Sequence, residues 1–231
     1  MTEKIGFIGL GAMGAGMAGN LLAKGFALTV LAHHRREAVD ALVARGATEA
    51  KTARDLAANS DIVVLCVTGS REVEDVISGP EGLASAGKPL LIIDCSTSNP
   101  AQTIALAAAL EPRGIVLLDA PLGRTPKEAA EGKLDVMIGG GSEHVARARP
   151  VVEAFAGRVV HTGATGSGHT MKLLVNFVSM GYSTIYSEAL TVGAKMGLTP
   201  RVIDSVLSGS RMDCPFYQAF FDFVLNRNEN A

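Results

Sequence analysis

Lys4-Ile5-Gly6-Phe7-Ile8-Gly9-Leu10-Gly11-Ala12-Met13-Gly14 is the stretch whose reading decides the fold. A short apolar run enters a glycine-rich turn, and a small-residue segment from Ala15 to Ala23 follows. Strand, turn and helix in that order build a dinucleotide cradle. Gly9 permits the tight turn, Gly11 leaves the backbone open to a pyrophosphate, and Gly14 lets the helix pack closely on the strand. Amides at the helix start then face the phosphates. Gly9, Leu10, Gly11, Ala12, Met13 and Gly14 form the first candidate cofactor-binding set. A bare G-x-G-x-x-G string is a weak signal. Its place here, directly after a hydrophobic strand, makes it specific.

The second strand qualifies the cofactor. Phe26 to Ala32 is an extended apolar run, followed by His33-His34-Arg35-Arg36. An NAD site places Asp or Glu about twenty residues past the glycines, on the ribose hydroxyls. Ala32 holds that place, and the next carboxylate, Glu37, falls in the following helix. A 2′-phosphate suits the basic run, because an arginine fork matches phosphate oxygens. The reading is NADP, with NAD as the alternative. Arg35 or His33 is the expected phosphate contact, with His34 and Arg36 as further candidates. The competing use is a solvated basic loop.

The chain has 231 residues, 48% of them hydrophobic, enough to bury a sizeable core. Its formal net charge of −2 gives no argument for nucleic acid or a membrane surface. The three cysteines, Cys66, Cys95 and Cys214, form no even framework, which fits an intracellular, cytoplasmic protein. The N-terminus reads as a folded strand and shows no cleavage pattern, so no signal peptide is expected. Tryptophan is absent and tyrosine scarce, which argues against an aromatic stacking surface.

Apolar runs such as Ile62-Val63-Val64-Leu65-Cys66-Val67 alternate with helical stretches through the first part of the chain. Near-continuous apolar strands belong to a parallel sheet covered on both faces. The expected strands are 4–8, 27–32, 62–67, 90–94, 114–118, 134–139 and 158–161, the last two as antiparallel additions. Expected helices fill 12–24, 36–45, 52–59, 71–77, 100–111 and 143–155. The fold class is therefore α/β, a doubly wound, Rossmann-like sheet domain over 1–165. Residues 166–231 then form a long linking helix and an incomplete all-α domain. From Ser167 to Met196 one helix of roughly 45 Å is possible. It carries no charge between Lys172 and Glu188. A membrane span competes, but Asn176, Ser179, Tyr182, Ser183, Thr184 and Tyr186 would lack partners in lipid. A buried helix, covered in part by a second copy in a homo-oligomer, is the expectation. Thr199-Pro200 caps a further helix. Residues 201–231 supply one or two helices, so the chain reads as unfinished or as borrowing packing from a partner.

Three clusters carry chemistry. Asp94-Cys95-Ser96-Thr97-Ser98-Asn99-Pro100 ends the fourth expected strand, where ligands of such sheets bind. The Ser96 and Thr97 hydroxyls should face the cleft, while Ser98 or Asn99 caps the next helix. Asp119-Ala120-Pro121-Leu122-Gly123-Arg124-Thr125-Pro126 ends the fifth. Gly123 can bring backbone close to a ligand, and Arg124 can clamp a carboxylate or sulfonate. A surface arginine is the plainer reading. In the third cluster, Gly166 to Asn176, His169, Lys172 and Asn176 share one helix side. A desolvated lysine there is a fitting proton donor to an alkoxide, and an asparagine can hold the substrate. The histidines show no zinc-ligand spacing with the cysteines, so no metal is expected. Asp94 and Asp119 each end a strand before a turn, where turn bonding is the default.

Together these motifs resemble the β-hydroxyacid dehydrogenase family, in family order across residues 4–200. The matching pieces are Gly6 to Gly14, Asp94-Cys95-Ser96-Thr97, Asp119-Ala120-Pro121, and Gly166-Ser167-Gly168 with Lys172 and Asn176. The resemblance implies reversible oxidation of a small β-hydroxy acid, or reduction of its semialdehyde. It implies that Lys172 is catalytic, that Asn176 and Ser96 lie by the substrate, and that Thr97 contacts the nicotinamide half of the cofactor. Val67 falls where the family places backbone contacts to the dinucleotide, and Cys66 beside it joins the cofactor set. Most members continue the fifth-strand motif as Val-Ser-Gly-Gly. Here Gly123, Arg124 and Thr125 stand instead, which resembles the sulfolactaldehyde reductase branch. A later helix with a further lysine has no counterpart before Ala231. The expected partner is a small anionic hydroxy acid or semialdehyde. An imine reductase and a non-catalytic dinucleotide-binding module are the alternatives. Imine reductases often lack the lysine, and non-catalytic members tend to lose it.

Overall fold

The computed structural model describes residues 3–33 and 36–228. The chain divides into two compact units, Met1–Lys172 and Leu173–Ala231.

In the first unit, strands β1 (Lys4–Ile8), β2 (Ala27–Leu31), β3 (Thr48–Ala50), β4 (Ile62–Leu65), β5 (Leu90–Asp94) and β6 (Ile115–Asp119) pair in parallel in the order 3-2-1-4-5-6. That is the dinucleotide-binding order, with its reversal at β1 and β4. Helices α1 (Gly14–Ala23), α2 (Glu37–Ala44), α3 (Ala53–Ala58), α4 (Ser70–Ser78) and α5 (Pro100–Leu110) connect them. The strands then extend beyond β6. β7 (Leu122–Gly123) and β8 (Leu134–Gly139) are joined by α6 (Pro126–Glu131), and α7 (Ser142–Val152) leads to β9 (Ala156–Gly163). β8 runs antiparallel to β6 and β7, and β9 runs parallel to β8. The two expected antiparallel additions are present.

Period-two alternation distributes each central strand between two cores. Ile62 and Val64 of β4 enter one apolar cluster with Ile5, Phe7, Met17 and Phe155. Val63 and Leu65 enter the other, with Leu56, Ile77 and Leu117. Leu91 and Ile93 of β5 follow the first pair, Leu90 and Ile92 the second. Fully burying each such side chain contributes about 1.5–3 kcal/mol. Both faces are thus covered, which explains strand sequences with no polar positions.

Five short elements escaped the sequence reading: β3, β7, α6 and the 3₁₀ turns at Leu83–Ala86 and Glu111–Arg113. β3 has three residues and β7 two, too few for an alternation to show. α6 did carry a signal. Thr125 and Glu128 form a reciprocal capping box, and Pro126 opens the first turn.

Helix α8 runs from Ser167 to Lys195. α9 (Pro200–Leu207) and α10 (Pro215–Asn226) follow, and Thr199 caps α9 by accepting from the Val202 amide. The second unit has its own small core, in which Tyr186, Tyr217 and Phe221 pack with Leu190, Ile203 and Phe220. Tyr217 and Phe221 stack with centroids 4.4 Å apart, and the Tyr217 hydroxyl donates to Asp204 at 2.8 Å. The uncharged stretch of α8 is left exposed in the single chain, where a second copy was expected to supply part of its cover. Phe177 is 76% exposed and Met180 68%. The short α9 and α10 have too little surface to cover it. Among the described residues no helix is long and apolar enough to cross a membrane.

Candidate active site

The glycine turn has the geometry its sequence requires. Gly9 sits at φ +99°, and a Cβ there would run into the Cys66 carbonyl. A Cβ on Gly14 would strike the Gly9 carbonyl, whereas one on Gly11 would meet nothing within 4 Å. Gly9 and Gly14 therefore close the turn, and Gly11 keeps its outer side open. No side chain caps α1 at Met13, so the amides at Ala12 and Met13 are left to an anion. These residues fit a pyrophosphate. The neighbouring Cys66 and Val67 amides are committed internally, to the Ile8 carbonyl at 2.9 Å and the Ser96 hydroxyl at 3.0 Å. Only their carbonyls remain for outside contacts. Burial and the nearby Asp94 push the Cys66 thiol up to about 11, so it stays protonated at neutral pH.

At the far end of β2, the structure corrects one cation. Arg36 is not free for a phosphate. Its two terminal nitrogens bind Glu49 of β3 at 3.1 and 3.0 Å, and one also reaches Asp40 at 3.1 Å. These carboxylates hold the guanidinium above its ordinary pKa, and Arg36 in turn holds Glu49 below the usual carboxylate range. Glu49 and Lys51 also line a cavity of about 420 Å³ with Leu31, Ala32 and Ala50. Neither was singled out by the sequence, because β3 itself was not. His33 is exposed; His34 and Arg35 lie outside the described residues.

Beyond β5 the expectations divide. Thr97 is exposed, as a cofactor contact requires. Ser96 is 2% exposed and serves as an internal bracket, its hydroxyl accepting from the Val67 amide and its own amide donating to Asp94. Asp94 receives the Ser96 amide at 2.9 Å and the Ser98 hydroxyl at 3.4 Å, the turn bonding foreseen. Burial raises its pKa, while His169 and the serine bonds oppose the rise. Asn99 caps α5 by accepting from the Ala101 amide at 2.9 Å.

His169 is a further correction. It is 1% exposed and does not face a cleft. Its Nε2 lies 3.1 Å from the Ser96 carbonyl, which can only accept, and Nδ1 lies 2.9 Å from the Thr103 hydroxyl. The first turn of α8 is packed on β5 and α5, so this side of the helix faces inward. Asp119 completes the fastening. Its buried carboxylate accepts from the Gly166 amide at 2.7 Å and the His169 amide at 2.8 Å. A carboxylate at a helix N-terminus is favoured by both the free amides and the helix dipole.

Lys172, one turn beyond His169, is half-buried. Its Nζ donates to the Leu122 carbonyl of β7 at 2.7 Å, and desolvation lowers its pKa. Leu122 and Gly123 carry the chain to Arg124, which has φ +81°, a conformation that disfavours any side chain. The Arg124 Nε donates to Asp135 at 2.9 Å. Among the described residues its two terminal nitrogens have no hydrogen-bond partner, which leaves a two-pronged donor for an anion. Thr125 spends its hydroxyl on Glu128 in the capping box and is a helix cap before it is a ligand. Asn176 is partly buried, one turn past Lys172 on the same helix.

Residues 4–163 match the family profile for the NAD binding domain of 6-phosphogluconate dehydrogenase. Residues 166–231 match that for the NAD-binding region of NADP-dependent 3-hydroxyisobutyrate dehydrogenase. The chain belongs to the β-hydroxyacid dehydrogenase family. Among its relatives in that family is the NAD-dependent L-serine dehydrogenase of Pseudomonas aeruginosa, 36% identical over 90% of this chain and 70% of that protein. The 3-sulfolactaldehyde reductase of Escherichia coli is 34% identical, over 89% and 69%. The solved Mycobacterium tuberculosis 3-hydroxyisobutyrate dehydrogenase with L-serine superposes with a TM-score of 0.85 at 30% identity, covering 94% of this chain and 73% of that one. Membership makes the protein an NAD(P)-dependent β-hydroxyacid dehydrogenase, and the resemblance read from the motifs holds.

Proposed function

We propose that the protein interconverts a small anionic β-hydroxy acid and its semialdehyde, with NADP(H) preferred and Lys172 as general acid and base. The observation that carries this is the half-buried Lys172 ammonium, held on the Leu122 carbonyl beside the β6–β7 segment. Bound nicotinamide supplies or accepts the hydride. In reduction, Lys172 Nζ gives its proton to the carbonyl oxygen as hydride reaches the carbon, and the neutral amine is reprotonated from solvent. Oxidation runs the same transfers backwards. Desolvation serves both directions by bringing the ammonium and the amine closer in free energy. Asn176, on the same helix, orients the substrate, and exposed Thr97 lies against the nicotinamide half. Ser96 acts one layer beneath, through the Val67 amide and Asp94. A homo-oligomer that covers Phe177 and Met180 belongs to the same proposal.

NADP preference rests on Ala32, which offers no carboxylate to ribose hydroxyls, and on the basic run after it. Direct titration should show tighter NADPH than NADH binding. The reverse order would overturn the preference.

Arg124 favours a carboxylate or sulfonate head group, and the likeness to a 3-sulfolactaldehyde reductase keeps a sulfonated substrate as the second reading. Arg124→Ala and Arg124→Gly should both raise KM for an acidic substrate, by up to about fivefold for so exposed a pair, and leave a neutral analogue nearly unaffected. The glycine variant should be more stable than the alanine variant by about 1–2 kcal/mol, because only glycine is at ease at φ +81°. Equal KM changes on charged and neutral substrates would mean that Arg124 shapes the loop without reading the anion.

A further inference from the structure

Glu49 and Arg36 meet at the ribose end of the dinucleotide cradle, yet neither ends the second strand, where cofactor choice is ordinarily written. Glu49 lies on β3, one residue before Ala50, which pairs with Leu31 of β2. It lines the same cavity as Ala32, the residue standing where an acid would meet the ribose hydroxyls. Its two oxygens occupy both terminal nitrogens of Arg36. A 2′-phosphate seeks that same arginine fork. With Glu49 and Asp40 both on Arg36, an approaching phosphate meets a fork whose terminal nitrogens are already engaged. A 2′-hydroxyl meets no such obstacle.

We propose that Glu49 is a specificity-determining residue for the cofactor: by holding Arg36 it weakens binding of the 2′-phosphorylated dinucleotide and lowers the ratio of NADP to NAD affinity. The inference rests on the family's dinucleotide site and concerns the ratio of two affinities. It is therefore independent of which cofactor the unaltered protein prefers. Removing the Glu49 charge loosens the hold on both terminal nitrogens, one of which Asp40 still engages. The pair is solvent-exposed and acts through a single charge, so the effect is moderate.

The test is equilibrium binding of NADPH and NADH, followed by nucleotide fluorescence, to the full chain and to Glu49→Gln, Arg36→Ala and the double variant. Glu49→Gln should raise the ratio of NADPH to NADH affinity by about fivefold, chiefly through tighter NADPH binding. In the double variant that gain should vanish, because it requires Arg36. A ratio unchanged within about twofold in Glu49→Gln would overturn the proposal. So would a gain that persists without Arg36, since Glu49 would then act on the nucleotide directly. The ratio in the unaltered protein separately tests the NADP preference, so failure of one reading is distinguishable from failure of the other. Circular dichroism and thermal unfolding of each variant confirm that the overall fold is kept.

Discussion

Replacing Lys172 with alanine is expected to lower turnover by about 10²–10⁴-fold, with dinucleotide affinity kept within about threefold. The phosphate cradle is built from Gly9 to Gly14 and owes nothing to the lysine. Stopped-flow reduction and NADPH titration on the same preparation separate the two. A catalytic constant within threefold of the parent would refute the assignment. The pH dependence carries the same signature. Reduction needs the ammonium, so its rate should fall as pH rises through a pKa that burial holds below the ordinary lysine value of 10.5. Oxidation needs the amine and should rise over the same range. For stability the sign is opposite to that of a salt-bridged lysine. The folded pKa is depressed, so the cost of burying the ammonium is present below that pKa. It is relieved as pH climbs from there toward the unfolded value. Lys172→Ala should therefore fold at neutral pH at least as well as the parent, which excludes misfolding as the cause of lost turnover.

Asp119→Ala should cost about 3–5 kcal/mol of folding stability, read from urea unfolding. The side chain is fully buried and takes the Gly166 and His169 amides together. Its loss leaves two buried donors unsatisfied, each worth about 1–3 kcal/mol, and removes a favourable charge from a helix start. Asp119→Asn retains one accepting oxygen and should lose about half as much. A loss below about 1 kcal/mol for the alanine variant would show that water or neighbouring carbonyls replace the carboxylate.

The parts of this protein legible in its sequence are those whose physics is local. β4 and the body of β5 are buried on both faces, so residues 62–65 and 90–93 announce themselves as unbroken apolar runs. The Gly9–Gly14 turn is legible because two of its glycines are sterically compelled. Helix α8 was legible from a glycine turn followed by a long uncharged run. What was missed depends on contacts across the sheet. His169 shares a helix side with Lys172, but only the packing of Thr103 against its ring shows that the first turn faces inward. Ser96 sits where ligands gather, and only the Val67 amide reveals that its hydroxyl is spent inside. The Arg36–Glu49 pair joins two elements through a three-residue strand with no pattern of its own. The exposure of α8 has a related reason: an apolar sequence states a need for partners without naming them.

The fastening of α8 by Asp119 and His169 has a consequence for how such proteins diversify. Lys172 is the last residue of the first compact unit, although the helix that bears it continues for 23 residues more. The groups that set its position, Asp119, Thr103, Ser96 and Leu122, are all encoded upstream of it. A recombination seam placed at residue 173 would cut through a continuous helix, ordinarily a poor place to splice. Here it would leave the lysine's anchors in one parental piece. Lineages, and protein engineers, can thus trade everything from Leu173 onward while Lys172 keeps its address.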